Sequence, residues 1–116
     1  MGHTKEKAPE AYSLRVSDNA LRNIDDITGY ITYINHQPLT AIKVGDKLFQ
    51  TIDRIQKNPL AFRECWEIPT KSKMYRQAIC LRWLIIYKVK SSRIVILGII
   101  HSSRKPSRIR SLRKIQ

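Results

Sequence analysis

Trp83-Leu84-Ile85-Ile86-Tyr87-Lys88-Val89-Lys90, then Ser91-Ser92, then Arg93-Ile94-Val95-Ile96-Leu97-Gly98-Ile99-Ile100: two runs rich in β-branched and aromatic residues stand either side of two serines. Side chains of that kind suit a pleated surface, and a two-residue link joins such runs into a tight antiparallel hairpin. Pairing outward from the serines predicts Ile86 opposite Leu97, Leu84 opposite Ile99 and Arg82 opposite His101. Both faces of the hairpin are then apolar. One carries Leu84, Ile86, Val95, Leu97 and Ile99; the other carries Trp83, Ile85, Tyr87, Ile94, Ile96 and Ile100. A sheet with helices on one side needs only one apolar face. The second must be covered by the C-terminal tail or left for a partner.

Upstream, residues 74–81 read as another strand and residues 64–68 as a short one, ended by Pro69 and the basic loop Thr70-Lys71-Ser72-Lys73. Before Arg63 the apolar period changes from 2 to 3.6. Pro38 suits the first position of a helix, where its missing amide would be unbonded. Ala41, Gly45, Leu48, Ile52 and Ile55 line that helix's inner face, and Asn58-Pro59 stops it. Gly45 lowers helix propensity, so it predicts a close approach to a neighbouring helix. That neighbour begins at Ser17, an N-cap oxygen, with Asp18 in the first turn. Its stripe is Leu21, Ile24, Ile27 or Thr28, Ile31 and Ile34, and Asn35-His36-Gln37 closes it. Ala11-Tyr12-Ser13-Leu14-Arg15-Val16 alternates as a half-buried strand. The expected class is therefore α+β: an N-terminal strand, a helical hairpin, then a four-stranded antiparallel sheet with a basic tail.

Charge divides the chain in two. All nine acidic residues lie at or before Glu67, where nine bases balance them, so the whole net charge of +13 lies beyond. A neutral part followed by an acid-free basic part predicts a scaffold that presents a cationic surface to a polyanionic partner. The 116 residues suit one domain. Residues 1–10 read as a polar, flexible leader, 11–105 as the domain and 106–116 as a basic tail with a short helix at 107–114. Cys65 and Cys80 have no metal or redox spacing, which fits a reducing, cytoplasmic setting. No apolar run is long enough to span a bilayer, and neither a metal nor a cofactor is expected.

Several segments resemble the RelE/ParE superfamily of toxins from bacterial type II toxin–antitoxin systems. They are Ser17-Asp18-Asn19-Ala20-Leu21, Gln37-Pro38-Leu39-Thr40-Ala41, Asn58-Pro59, Tyr75-Arg76, Leu84-Ile85-Ile86-Tyr87-Lys88-Val89, Ile94-Val95-Ile96-Leu97, and Ile99-Ile100-His101-Ser102-Ser103-Arg104-Lys105-Pro106. The resemblance implies a toxin neutralised by an acidic or amphipathic antitoxin, held in a toxin–antitoxin hetero-oligomer. RelE-like members cut mRNA on the ribosome, and ParE-like members poison DNA gyrase. The nuclease branch places an arginine where Leu84 stands, paired lysines where Tyr75-Arg76-Gln77 stands, and a tyrosine in a tail that here has none. The His101 to Pro106 ending resembles ParE-like and plasmid-stabilisation members. The ParE-like reading is therefore the first, the ribosome-dependent endoribonuclease the second, and a plain nucleic-acid-binding module the third.

Metal-independent RNA cleavage needs a base for the 2′-hydroxyl, a cation for the phosphorane and a proton donor for the leaving oxygen. The candidate catalytic residues are Arg76, His101 and Arg104, with histidine the group that titrates near neutrality. A histidine that merely ends a strand and bonds backbone is the plainer reading. Lys71, Lys73, Arg82, Lys88, Lys105 and Arg108 are the candidate target-binding cations.

Overall fold

The computed structural model describes residues 11–116, so the expected leader lies outside the described residues. Chain order is β1 (Ser13–Val16), α1 (Asp18–Gly29) running into a π-helical turn (Tyr30–Ile34), α2 (Pro38–Lys57), a 3-10 turn (Pro59–Ala61), β2 (Tyr75–Cys80), β3 (Trp83–Lys90), β4 (Arg93–His101), α3 (Pro106–Arg110) and a last 3-10 turn (Ser111–Lys114). The α+β class and helical hairpin are as expected, and the four-stranded sheet has the order β1-β4-β3-β2.

That sheet is mixed rather than wholly antiparallel. β1 runs parallel to β4, with Ser13 opposite Arg93 and Val16 opposite Ile96. Segment 64–68, expected as a strand, contributes a single bridge between Glu64 and Arg76. Cys65 donates its N–H to the Tyr75 carbonyl at 2.7 Å, but Ile68 N–H turns back to the Cys65 carbonyl at 3.0 Å, so the segment curls instead of extending. Cys65 and Ile68 are buried by that curl.

The helix signals work locally. Ser17 Oγ accepts the Ala20 N–H at 3.0 Å, as an N-cap should. The same hydroxyl donates to the Leu97 carbonyl at 3.1 Å, which fixes the helix against β4. This sets the rotation of α1: Ala20, Ile24 and Ile31 are buried, while Leu21, expected on the inner stripe, is 42% exposed. At the far end Asn35 N–H reaches Tyr30 O at 3.1 Å, a five-residue step that widens the turn. Ile34, also expected inside, is turned outward there and is 61% exposed. Pro38 opens α2, whose inner face is Ala41, Val44, Leu48, Thr51, Ile52 and Ile55. Gly45 does face α1, but a Cβ there would meet Thr28 Cγ2 at an ordinary 3.6 Å.

The hairpin register holds from the turn to Tyr87 opposite Ile96, then shifts, so that Ile86 faces Gly98 and Trp83 faces His101. Leu97 is the extra residue of a β-bulge. Its carbonyl is taken up by α1, accepting from Ser17 Oγ and from Asn19 Nδ2 at 2.9 Å. Asn23 Oδ1 in turn accepts the Ile99 N–H at 2.8 Å. The expected pairing of Arg82 with His101 is thereby corrected, and two side chains change faces. Ile99 joins the helix-side core with Ile85, Tyr87, Ile94 and Ile96, while Ile100 packs on the opposite face. That opposite face is covered by the tail: Ile109 and Leu112 pack with Ile86, Leu97, Cys65 and Ile68.

Candidate functional site

At the end of the sheet marked by the β2–β3 turn, α1, its π turn, the start of α2 and the loop after β4 surround a trough. Ile27, Tyr30, Ile31, Val44, Leu81 and Trp83 form its apolar part, and Arg82, Arg104, Lys105 and Arg108 its cationic part, with His101 among them. Asp26 is the one carboxylate among its lining residues. A cavity of about 310 Å³ adjoins it, with Asn19, Asn23, Asp26, Arg104 and Arg108 on its polar side and Ile99, Leu112 and Ile115 on its apolar side. Cations crowded into a concave site focus a positive field on whatever enters it.

Backbone turns place those cations. Ser102 N–H donates to the Arg82 carbonyl at 2.8 Å, tying the β2–β3 turn to the end of β4. Arg104 N–H donates to the His101 carbonyl at 3.0 Å, and Arg108 N–H to the Lys105 carbonyl at 2.9 Å. His101 stands edge-on to Trp83, with ring centroids 6.1 Å apart and planes at 84°. Its Nδ1 lies 2.8 Å from Ser103 Oγ and accepts the Ser103 N–H at 3.2 Å. An amide can only donate, so the proton of the neutral ring sits on Nε2.

Residues 14–106 match the sequence profile of the ParE toxin of type II toxin–antitoxin systems, parDE. The chain belongs to the ParE toxin family. A chain of the chromosomal ParDE toxin–antitoxin system from P. aeruginosa has a similar fold, with TM-score 0.61 and 20% identity over 78% of this chain and 96% of that one. Comparison with curated protein sequences gave no significant match.

For a ParE-family chain, the notable point is how the candidate residues divide. Arg82, His101, Arg104, Lys105 and Arg108 meet in the trough. Lys71 and Lys73 lie in the turn before β2, where Lys73 N–H donates to Thr70 O at 3.1 Å, and Lys88 pairs with Tyr75 beside them. These three occupy the opposite end of the sheet. Arg76 follows Tyr75 on β2, near Lys88 and away from the trough. It is opposite Tyr87, four positions along β2 from the Cys80–Trp83 pair, roughly 13 Å along the strand. Its Nη1 donates to Phe62 O at 2.7 Å and Leu60 O at 3.3 Å. The Tyr87 hydroxyl donates to Pro59 O. Burial pushes the Tyr87 phenol well above its ordinary pKa, with Arg76 opposing weakly. Together the two side chains fasten the turn after α2.

Tyr30 and Leu81 are the trough residues that charge and motif reasoning passes over. Tyr30 is 58% exposed and Leu81 54%. The signal for Tyr30 is its position off the apolar stripe of α1, a place where a large apolar ring has no core to join. Burial, then the Glu67 carboxylate, pushes the Cys65 thiol up to about 12, so the reactive thiolate is scarce near neutrality. Among the described residues no cluster of His, Cys, Asp or Glu is arranged to hold a metal, and no helix is long and apolar enough to cross a membrane.

Proposed function

We propose that this ParE-family protein is a cytoplasmic toxin that arrests growth by binding DNA gyrase, and that a cognate acidic, amphipathic antitoxin neutralises it in a toxin–antitoxin hetero-oligomer. The observation that carries this reading is the division of the candidate catalytic set. Arg76 is bonded to main-chain carbonyls away from His101 and Arg104, and His101 Nδ1 is engaged by Ser103. Cleavage of RNA requires base, cation and acid within hydrogen-bond reach of one phosphate. Binding a large target requires only a complementary surface, and the trough supplies cations beside apolar side chains. The same surface suits an acidic amphipathic antitoxin.

The test is purified protein in a DNA-supercoiling assay with gyrase, beside a translation assay with transcript mapping. Loss of supercoiling with intact transcripts supports the reading. Transcripts cut at codons with normal supercoiling would reject it for ribosome-dependent cleavage. Steeply salt-dependent nucleic-acid binding with neither effect would reject both.

A further inference from the structure

Leu81 is the first residue of the two-residue turn between β2 and β3, flanked by the Cys80–Trp83 pair. Its φ is +55°. An unbranched-at-β but bulky leucine has its Cβ close to the following carbonyl in that left-handed region, where glycine is the default. The other described non-glycine residues at positive φ are His36, Lys73 and Ser91, all polar; leucine is the odd one. Folding recovers little from it, because the side chain is 54% exposed. A strained backbone with an unburied apolar side chain is the signature of a residue retained for something other than stability.

Its surroundings indicate the occupant. Leu81 lines the trough with Ile27, Tyr30 and Trp83, under Arg82, Arg104 and Lys105. A nucleic acid would engage the cations and stack on rings, but a leucine offers neither a hydrogen bond nor a π face. An acidic amphipathic peptide uses both halves of this surface, with carboxylates on the arginines and apolar side chains on the floor. The turn is also tied to the end of β4 by the Ser102 to Arg82 hydrogen bond. We propose that Leu81 is the apolar anchor for the neutralising antitoxin. This rests on the reading that such an antitoxin exists.

The experiment uses the full chain and the product of the reading frame adjoining its gene. Binding is titrated for the unaltered protein, Leu81→Gly and Leu81→Asn, with thermal unfolding of each and a single-stranded oligothymidylate as the control probe. Both replacements tolerate positive φ, so Tm should hold or rise by a few degrees, while Kd for the adjoining product rises tenfold or more. The salt dependence of that binding should be unchanged, because the arginines remain. Unaltered Kd in variants whose Tm has not fallen would overturn the proposal. So would a fall in Tm for both, which would make Leu81 structural, or a loss confined to the oligothymidylate. If the unaltered protein does not bind the adjoining product at all, the antitoxin reading itself falls and the anchor falls with it.

Discussion

Gly98 lies so close to Leu112 that a Cβ on it would come within 2.8 Å of Leu112 Cδ2, and within 3.0 Å of Asn19 Nδ2. The bulge strand is therefore clamped between the tail on one side and the start of α1 on the other. Gly98→Ala should cost about 1–3 kcal/mol, the usual range for overpacking a filled core. Leu112→Ala is destabilising by itself, but the double variant should lose less than the sum of the two single losses, since the clashing methyls are gone. Urea unfolding of the two single variants and the double variant tests this. Strict additivity would show that the two residues do not share the site.

Ser17→Ala removes an acceptor from the Ala20 amide and a donor from the Leu97 carbonyl at one stroke. The expected loss is about 2 kcal/mol, the sum expected for a helix cap and a buried hydrogen bond. A shift in the urea midpoint with unchanged slope checks it.

Arg76→Met leaves the Leu60 and Phe62 carbonyls without their guanidinium donor. Stability should fall by about 1.5–3 kcal/mol, as for hydrogen bonds to a charged group. Growth arrest per folded molecule, measured with the soluble fraction quantified, should be unchanged. A stable but inactive variant would return Arg76 to the list of catalytic candidates.

The buried Cys65 thiol makes stability fall in alkali. Its folded value of about 12 lies above the ordinary 9.0 of a free thiol, so the unfolded chain loses its proton first. The contribution is complete below the unfolded value and is lost as pH rises from there toward 12. In that window the unaltered protein should lose about 1.4 kcal/mol per pH unit more than Cys65→Ala. Denaturation curves of both proteins across the window measure the difference.

Gly45→Ala should stabilise the protein by about 0.5–1 kcal/mol. The added methyl meets Thr28 Cγ2 at an ordinary contact distance of 3.6 Å, and α2 gains helix propensity. A lower urea midpoint would mean that the two helices cannot accommodate it.

What could be read from the chain was set by neighbours in sequence. Ser17, Pro38 and Asn58-Pro59 mark helix ends through groups within a turn of themselves, and the structure places the ends there. The β3 boundaries follow from composition in the same way. The Leu97 bulge depends on Ser17 and Asn19, which reach it from about eighty residues away, and no local period reports that. Gly98 inside a strand was its one sequence signal. Within the site, Arg82, His101, Arg104, Lys105 and Arg108 were legible because charge has no place in a core. Leu81 and Tyr30 were not, because apolar residues near strands and helices read as core until burial is measured. Arg76 was legible as a cation, but not its separation from His101, which depends on strand order.

The pairing of β1 with β4 also has a meaning for the ribosome that makes the chain. At about 5–20 residues per second, Ser13 waits several seconds for Arg93, its neighbour in the sheet. The trough draws on residues from Asp26 to Arg108, so a half-made chain has helices but no cleft. A product cut short before β4 lacks a central strand and most of the basic rim, namely His101, Arg104, Lys105 and Arg108. The cleft therefore exists only once nearly the whole chain has been made.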